Sequence, residues 1–63
     1  MAYAELVKEL REALTLSQAE MAELLGVTFA TVNRWENGHH EPTIKQRRVI
    51  KQLCQKNGVK LHE

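Results

Sequence analysis

This 63-residue chain predicts an all-α fold of four short helices, or five if the last residues continue as one. Three observations carry that reading. Apolar residues recur at helical spacing from Tyr3 to Leu14; a capping signal, a glycine and a second capping signal follow one another between Ser17 and Gly38; and a Pro42-Thr43 start is matched by an Asn57-Gly58 stop. A chain of this size buries only about 60 % of its unfolded surface, so its core must be compact.

Tyr3, Leu6, Val7, Leu10, Ala13 and Leu14 define the first helix, which ends near Thr15-Leu16 and is expected to pack across the next two. The second runs over about residues 17–25. The Ser17 hydroxyl can accept from the Glu20 N–H while the Glu20 carboxylate reaches back, a capping box, and Leu16 with Met21 can close over it as a hydrophobic staple. Met21, Ala22 and Leu25 form its apolar stripe, Glu20 and Glu23 face water, and the small Ala22 lets another helix cross closely.

Gly26 supplies the left-handed turn and Val27 plugs the corner. Thr28 caps a third helix over about residues 28–37, whose buried side is Val32 and Trp35 and whose outward side is Phe29, Ala30, Asn33, Arg34 and Asn37. In the fourth helix Ile44, Val49, Ile50, Leu53 and Cys54 are expected to supply apolar contacts, Cys54 as a small core residue. The tail from Val59 to Glu63 alternates over too few residues to assign.

Composition excludes several classes. A single cysteine makes no internal disulfide, and nothing approaches the roughly 20 apolar residues of a membrane span. With no basic-then-apolar leader, the cytoplasm is the expected compartment. His39, His40 and His62 have no carboxylate or thiol at ligand spacing, so no metal or other cofactor is expected; the first two are read as solvent-exposed, with a phosphate contact that strengthens at low pH as the other use. Ser17, the only serine, is occupied as a cap, the carboxylates lie on solvated faces, and no catalytic residue is assigned.

The net charge of +1 hides an asymmetry: residues 1–31 sum to −3 and residues 32–63 to +4. Such a split suits either a basic side that meets phosphates or a solvated helix face.

The run from Ser17 to Gly38 resembles the helix-turn-helix of Cro and lambda-repressor-like regulators, the bacterial and phage family called Xre. Gln18, Ala22, Gly26, Val27, Val32, Trp35 and the closing Glu36-Asn37-Gly38 carry the resemblance, which extends from about Tyr3 to about Gly58. It implies double-stranded DNA as partner, with the third helix in the major groove, where each base pair shows a distinct set of donors, acceptors and methyl groups. Thr28, Phe29, Ala30, Asn33 and Arg34 are the expected base-contacting residues, and Ser17, Gln18, Thr31 and Asn37 the phosphate-contacting ones.

Alternatives stay open at three of these positions. Arg34 can donate two bonds to guanine or hold a phosphate, and Asn33 can serve adenine or a phosphate. Phe29 and Ala30 stand where related domains often carry polar residues; Phe29 either packs on thymine methyls, folds back onto the domain, or covers a protein partner. Related domains also pair an arginine at the end of the first helix with the glutamate before Asn-Gly, which here means Arg11 and Glu36. They commonly add a fifth, dimerising helix, from which this chain departs.

Three functions are consistent with these residues. The expected one is a transcriptional repressor on an inverted repeat, as a homodimer or as paired monomers. The second is an antitoxin, or the DNA-targeting module of a larger assembly with a toxin or a fused domain as partner. The third is a protein-interaction module that uses the Phe29 surface.

Overall fold

The computed structural model describes residues 3–60, which form four helices and no strand: α1 (Tyr3–Ala13), α2 (Gln18–Leu25), α3 (Phe29–Glu36) and α4 (Ile44–Lys56). Their starts follow from side chains that satisfy the first orphan backbone donors. Ser17 and Thr43 each make a complete capping box, with Glu20 and Gln46 as the returning side chains, and the Thr28 hydroxyl accepts from the Thr31 N–H. Whatever the tail forms beyond Lys60, Leu61, His62 and Glu63 lie outside the described residues.

All four helices end in the same way. The N–H of a left-handed residue bonds back three positions and the next N–H bonds back five: Thr15 to Glu12 and Leu16 to Arg11, Gly26 to Glu23 and Val27 to Ala22, Gly38 to Trp35 and His39 to Arg34, Gly58 to Gln55 and Val59 to Cys54. This is the Schellman arrangement, which ties up carbonyls that the helix leaves without partners. Glycine occupies the left-handed position three times, as at Gly26 with φ +71°, but after α1 it is Thr15, with φ +58°. A β-branched residue there crowds its own backbone, at a cost of roughly 1–2 kcal/mol.

Thr15→Gly should therefore raise stability by about 0.5–1 kcal/mol, the relief being partly offset by the greater freedom of glycine in the unfolded chain. In a thermal melt that corresponds to a gain of a few degrees; a drop would show that the hydroxyl or methyl of Thr15 makes a contact worth more than the strain.

The core joins Tyr3, Leu6, Val7 and Leu10 of α1, Met21 and Ala22 of α2, Val32 and Trp35 of α3, and Ile50 and Cys54 of α4, with Leu14, Leu16, Leu25, Val27, Leu53 and Val59 packed around it. Helix α1 lies against α3 and α4, and α2 lies against α3. Pro42 is fully buried and seats the loop that leads into α4.

Three apolar expectations need correction. Ala13, at the end of α1, is exposed. Ile44 is 68 % exposed and Val49 40 % exposed. Ile44 is the first residue of α4, beyond the edge of the core, and Val49 is turned about 100° from Ile50, the residue that faces inward. Among the described residues no helix is long and apolar enough to cross a membrane.

Candidate nucleic-acid interface

Helix α3 is held by one side and presents the other. Val32 and Trp35 are buried, while Phe29, Ala30 and Arg34 are exposed; Asn33 is half-buried, and Asn37, the residue that ends the helix, is exposed. Positions 29, 30, 33, 34 and 37 are spaced to share one helical face. Phe29 does not fold back, since it is 54 % exposed. Thr28 and Thr31 open the helix with their hydroxyl oxygens 2.9 Å apart, so each presents its remaining hydrogen-bonding capacity at the helix start.

Gln18, the first residue of α2, meets α3 through its side chain rather than standing free. Its Nε2 donates to Glu36 Oε1 at 3.2 Å and its Oε1 accepts from Asn33 Nδ2 at 3.2 Å. Asn37 Nδ2 in turn donates to Asn33 Oδ1 at 3.0 Å. Each of the three amides spends one N–H in this way and keeps another. The sequence carried a sign of one of these bonds, because Asn33 and Asn37 are four apart on a helix; the Gln18 bonds depend on how α2 and α3 pack.

Beneath this row lies an ion pair. Arg11 Nε is 2.7 Å from Glu36 Oε2 and Nη2 is 3.0 Å from Oε1, a two-pronged contact, while Nη1 donates to the Leu16 carbonyl at 3.1 Å. The Glu36 side chain is only 5 % exposed, so this carboxylate departs from the expectation of a solvated face: the packing of α1 and α2 on α3 covers it. Burial is the largest single influence on its carboxyl and pushes the pKa up, but the hydrogen bonds from Arg11 and Gln18 and the charge of Arg11 together outweigh it, and the group lies below the usual carboxylate range. Bonding to Glu36 likewise raises the Arg11 guanidinium above its ordinary value. At neutral pH the pair is fully charged.

Ser17 is exposed and its Oγ accepts from the Glu20 N–H at 3.1 Å, with the Glu20 carboxylate on the Ser17 N–H at 2.9 Å. Its hydroxyl hydrogen remains available to an acceptor. The Glu20 carboxyl is pulled down chiefly by that backbone bond.

One cation counted on the basic side is already engaged. Arg47 Nε donates to the Pro42 carbonyl at 2.8 Å, its Nη2 pairs with Glu41 at 2.9 Å, and its guanidinium lies 5.0 Å from the centroid of the Tyr3 ring. It braces the loop before α4 against α1, with its side chain 35 % exposed. Arg34, in contrast, takes no part in either ion pair found among the described residues. It borders a shallow cleft with Thr31, His40 and Thr43, which places the α3–α4 loop beside the outward face of α3. His39 and His40 are both exposed.

Two short helices joined by a left-handed glycine, the second anchored by Val32 and Trp35 and offering a polar and aromatic face, define a helix-turn-helix domain. The chain belongs to the helix-turn-helix family of Xre and lambda-repressor-like domains, which matches residues 7–63. DNA binding, typically in transcriptional regulators, is the activity of that family. No curated protein and no solved structure matches the chain.

Proposed function

We propose that this protein binds double-stranded DNA sequence-specifically, with α3 in the major groove, and acts as a transcriptional repressor. The exposed face of α3 is the observation that carries the reading: Phe29, Ala30 and Arg34 stand in solvent on a helix whose opposite side is locked into the core. An α-helix fits the major groove, and an arginine there donates two bonds to guanine O6 and N7. Phe29 and Ala30, which carry no polar group, suit thymine methyls.

Thr28 and Asn33 complete the base-facing set. Ser17, Gln18, Thr31 and Asn37 flank it with donors for phosphate, the first two at the N-terminal end of α2, where backbone N–H groups and the helix dipole favour an anion. The domain measures 25 × 22 × 19 Å, less than the 34 to 36 Å or so between successive half-sites on one face of DNA. One copy thus covers one half-site, and two copies on an inverted repeat give a complete operator.

Selection of bound sites from random duplex DNA, followed by titration across salt, tests this. Affinity should fall linearly on logarithmic axes with a slope of about −0.9 per phosphate neutralised. Arg34→Ala should flatten preference at one or two base positions, by about 1–3 kcal/mol, while Gln18→Ala should weaken all sites through its lost phosphate contact and relax preference only at the position that Asn33, its hydrogen-bond partner, meets. Failure to bind duplex DNA at low salt would transfer the Phe29 face to a protein partner.

A further inference from the structure

The amide row beneath the outward face of α3 has a direction, and Glu36 imposes it. A side-chain amide can turn over and exchange its donor and acceptor ends; a carboxylate can only accept. Both Glu36 oxygens are already bonded to Arg11, at 2.7 and 3.0 Å, so the group facing Gln18 is an ionised acceptor. Gln18 must then offer Nε2 to Glu36, which leaves Oε1 toward Asn33. Asn33 answers with Nδ2, which leaves Oδ1 toward Asn37, and Asn37 answers with its own Nδ2. Turning over any one amide sets nitrogen against nitrogen or oxygen against oxygen on at least one side.

We propose that Glu36 is a positioning residue for base recognition: through Gln18 it locks the Asn33 amide with nitrogen toward α2 and oxygen toward the end of α3, so that Asn33 meets a base edge in one donor–acceptor order only. This deepens the DNA reading and rests on it. An asparagine free to turn over serves either order along a base edge; a locked one distinguishes a base pair from its reverse, because the major groove shows different donors and acceptors in the two orientations. The residue that touches DNA is Asn33, and Glu36 acts on it from a distance of two hydrogen bonds.

Two measurements on the whole chain test the lock. In the free protein, trans-hydrogen-bond couplings should run from Gln18 Nε2 to the Glu36 carboxyl carbon, from Asn33 Nδ2 to the Gln18 amide carbon and from Asn37 Nδ2 to the Asn33 amide carbon. Couplings in the opposite direction overturn the proposal whatever the protein binds. On DNA, the double variant Arg11→Met with Glu36→Gln keeps the site neutral and hydrogen-bonded but replaces the acceptor by an amide that can face either way. Its selected sites should lose on the order of ten-fold discrimination at the position that Asn33→Ala also relaxes, with salt-dependent binding to unrelated duplex unchanged. Retention of wild-type discrimination in the folded double variant overturns the proposal, as does an Asn33→Ala variant that relaxes no position. Forward couplings with no binding to any duplex overturn the DNA reading instead, and the role of Asn33 in it.

Discussion

Arg11→Met is expected to destabilise the domain by about 3–5 kcal/mol, the cost of leaving a buried charge without its partner. The methionine fills much of the arginine stem's volume but leaves the Glu36 carboxylate, 5 % exposed, with Gln18 as its one remaining donor among the bonds described. It also takes away the Nη1 bond to the Leu16 carbonyl at the strained end of α1. A domain of this length has a total stability of roughly 3–9 kcal/mol, so the variant should melt more than about 12 °C lower, and a wild-type stability in the lower half of that range leaves it partly unfolded at room temperature. An unchanged melting point would mean that the pair contributes nothing.

The same pair fixes how stability responds to acid. Burial alone would raise the Glu36 pKa, and the Arg11 and Gln18 interactions together reverse the sign, so the folded value lies below the unfolded one. The wild-type contribution is then complete above the unfolded carboxylate pKa of about 4.3 and is lost as pH falls through the lower folded value. In Arg11→Met only the Gln18 bond and the charge of Lys8 still oppose burial, the largest single influence, so the carboxyl pKa rises relative to the wild type and, with the sign inverted, lowering the pH from 7 toward 5 should stabilise the variant while the wild type hardly changes. Combining Arg11→Met with Glu36→Leu should recover most of the loss, because the desolvation of both charges disappears along with their attraction.

What the residues disclosed in advance was local. The capping box at Ser17, the caps at Thr28 and Thr43, and the glycine stops at Gly26, Gly38 and Gly58 are short-range hydrogen-bond and backbone preferences, and each shows in the residue types themselves. The end of α1 has the same geometry without the same sign, since Thr15 adopts a conformation that its side chain disfavours. Ile44 and Val49 look like core by composition, yet their position on α4 depends on which face meets α1, and that is a property of packing.

The functional face divides in the same way. Phe29, Ala30 and Arg34 could be placed outward from the spacing of Val32 and Trp35 alone. That Gln18 spends its amide on Glu36 and Asn33, and that Arg47 spends its charge on Glu41, Pro42 and Tyr3, requires elements distant in sequence to come together. A charge count treats Arg34 and Arg47 alike; among the described residues the fold gives the first no ion-pair partner and ties the second to Glu41, Pro42 and Tyr3.

The two aromatic residues of α3 should separate stability from binding. Trp35 is 2 % exposed and joins α3 to the core, whereas Phe29 stands 54 % exposed at the start of the same helix. The helical advance of about 100° per residue explains the difference: Trp35 lies about 60° from Val32 around the axis and Phe29 about 60° to the other side, far enough to leave the core. Trp35→Ala should cost about 3–5 kcal/mol through lost burial and the cavity left behind, which removes much of the domain's stability. Phe29→Ala should stay within about 0.5 kcal/mol of wild type in the same melt. Duplex titration should reverse their importance: at a temperature where both variants are folded, Phe29→Ala loses affinity for selected sites that contain thymine at the contacted step, and Trp35→Ala keeps it. If Phe29→Ala proved as unstable as Trp35→Ala, or bound selected DNA as the wild type does, the outward face of α3 would not be the reading surface.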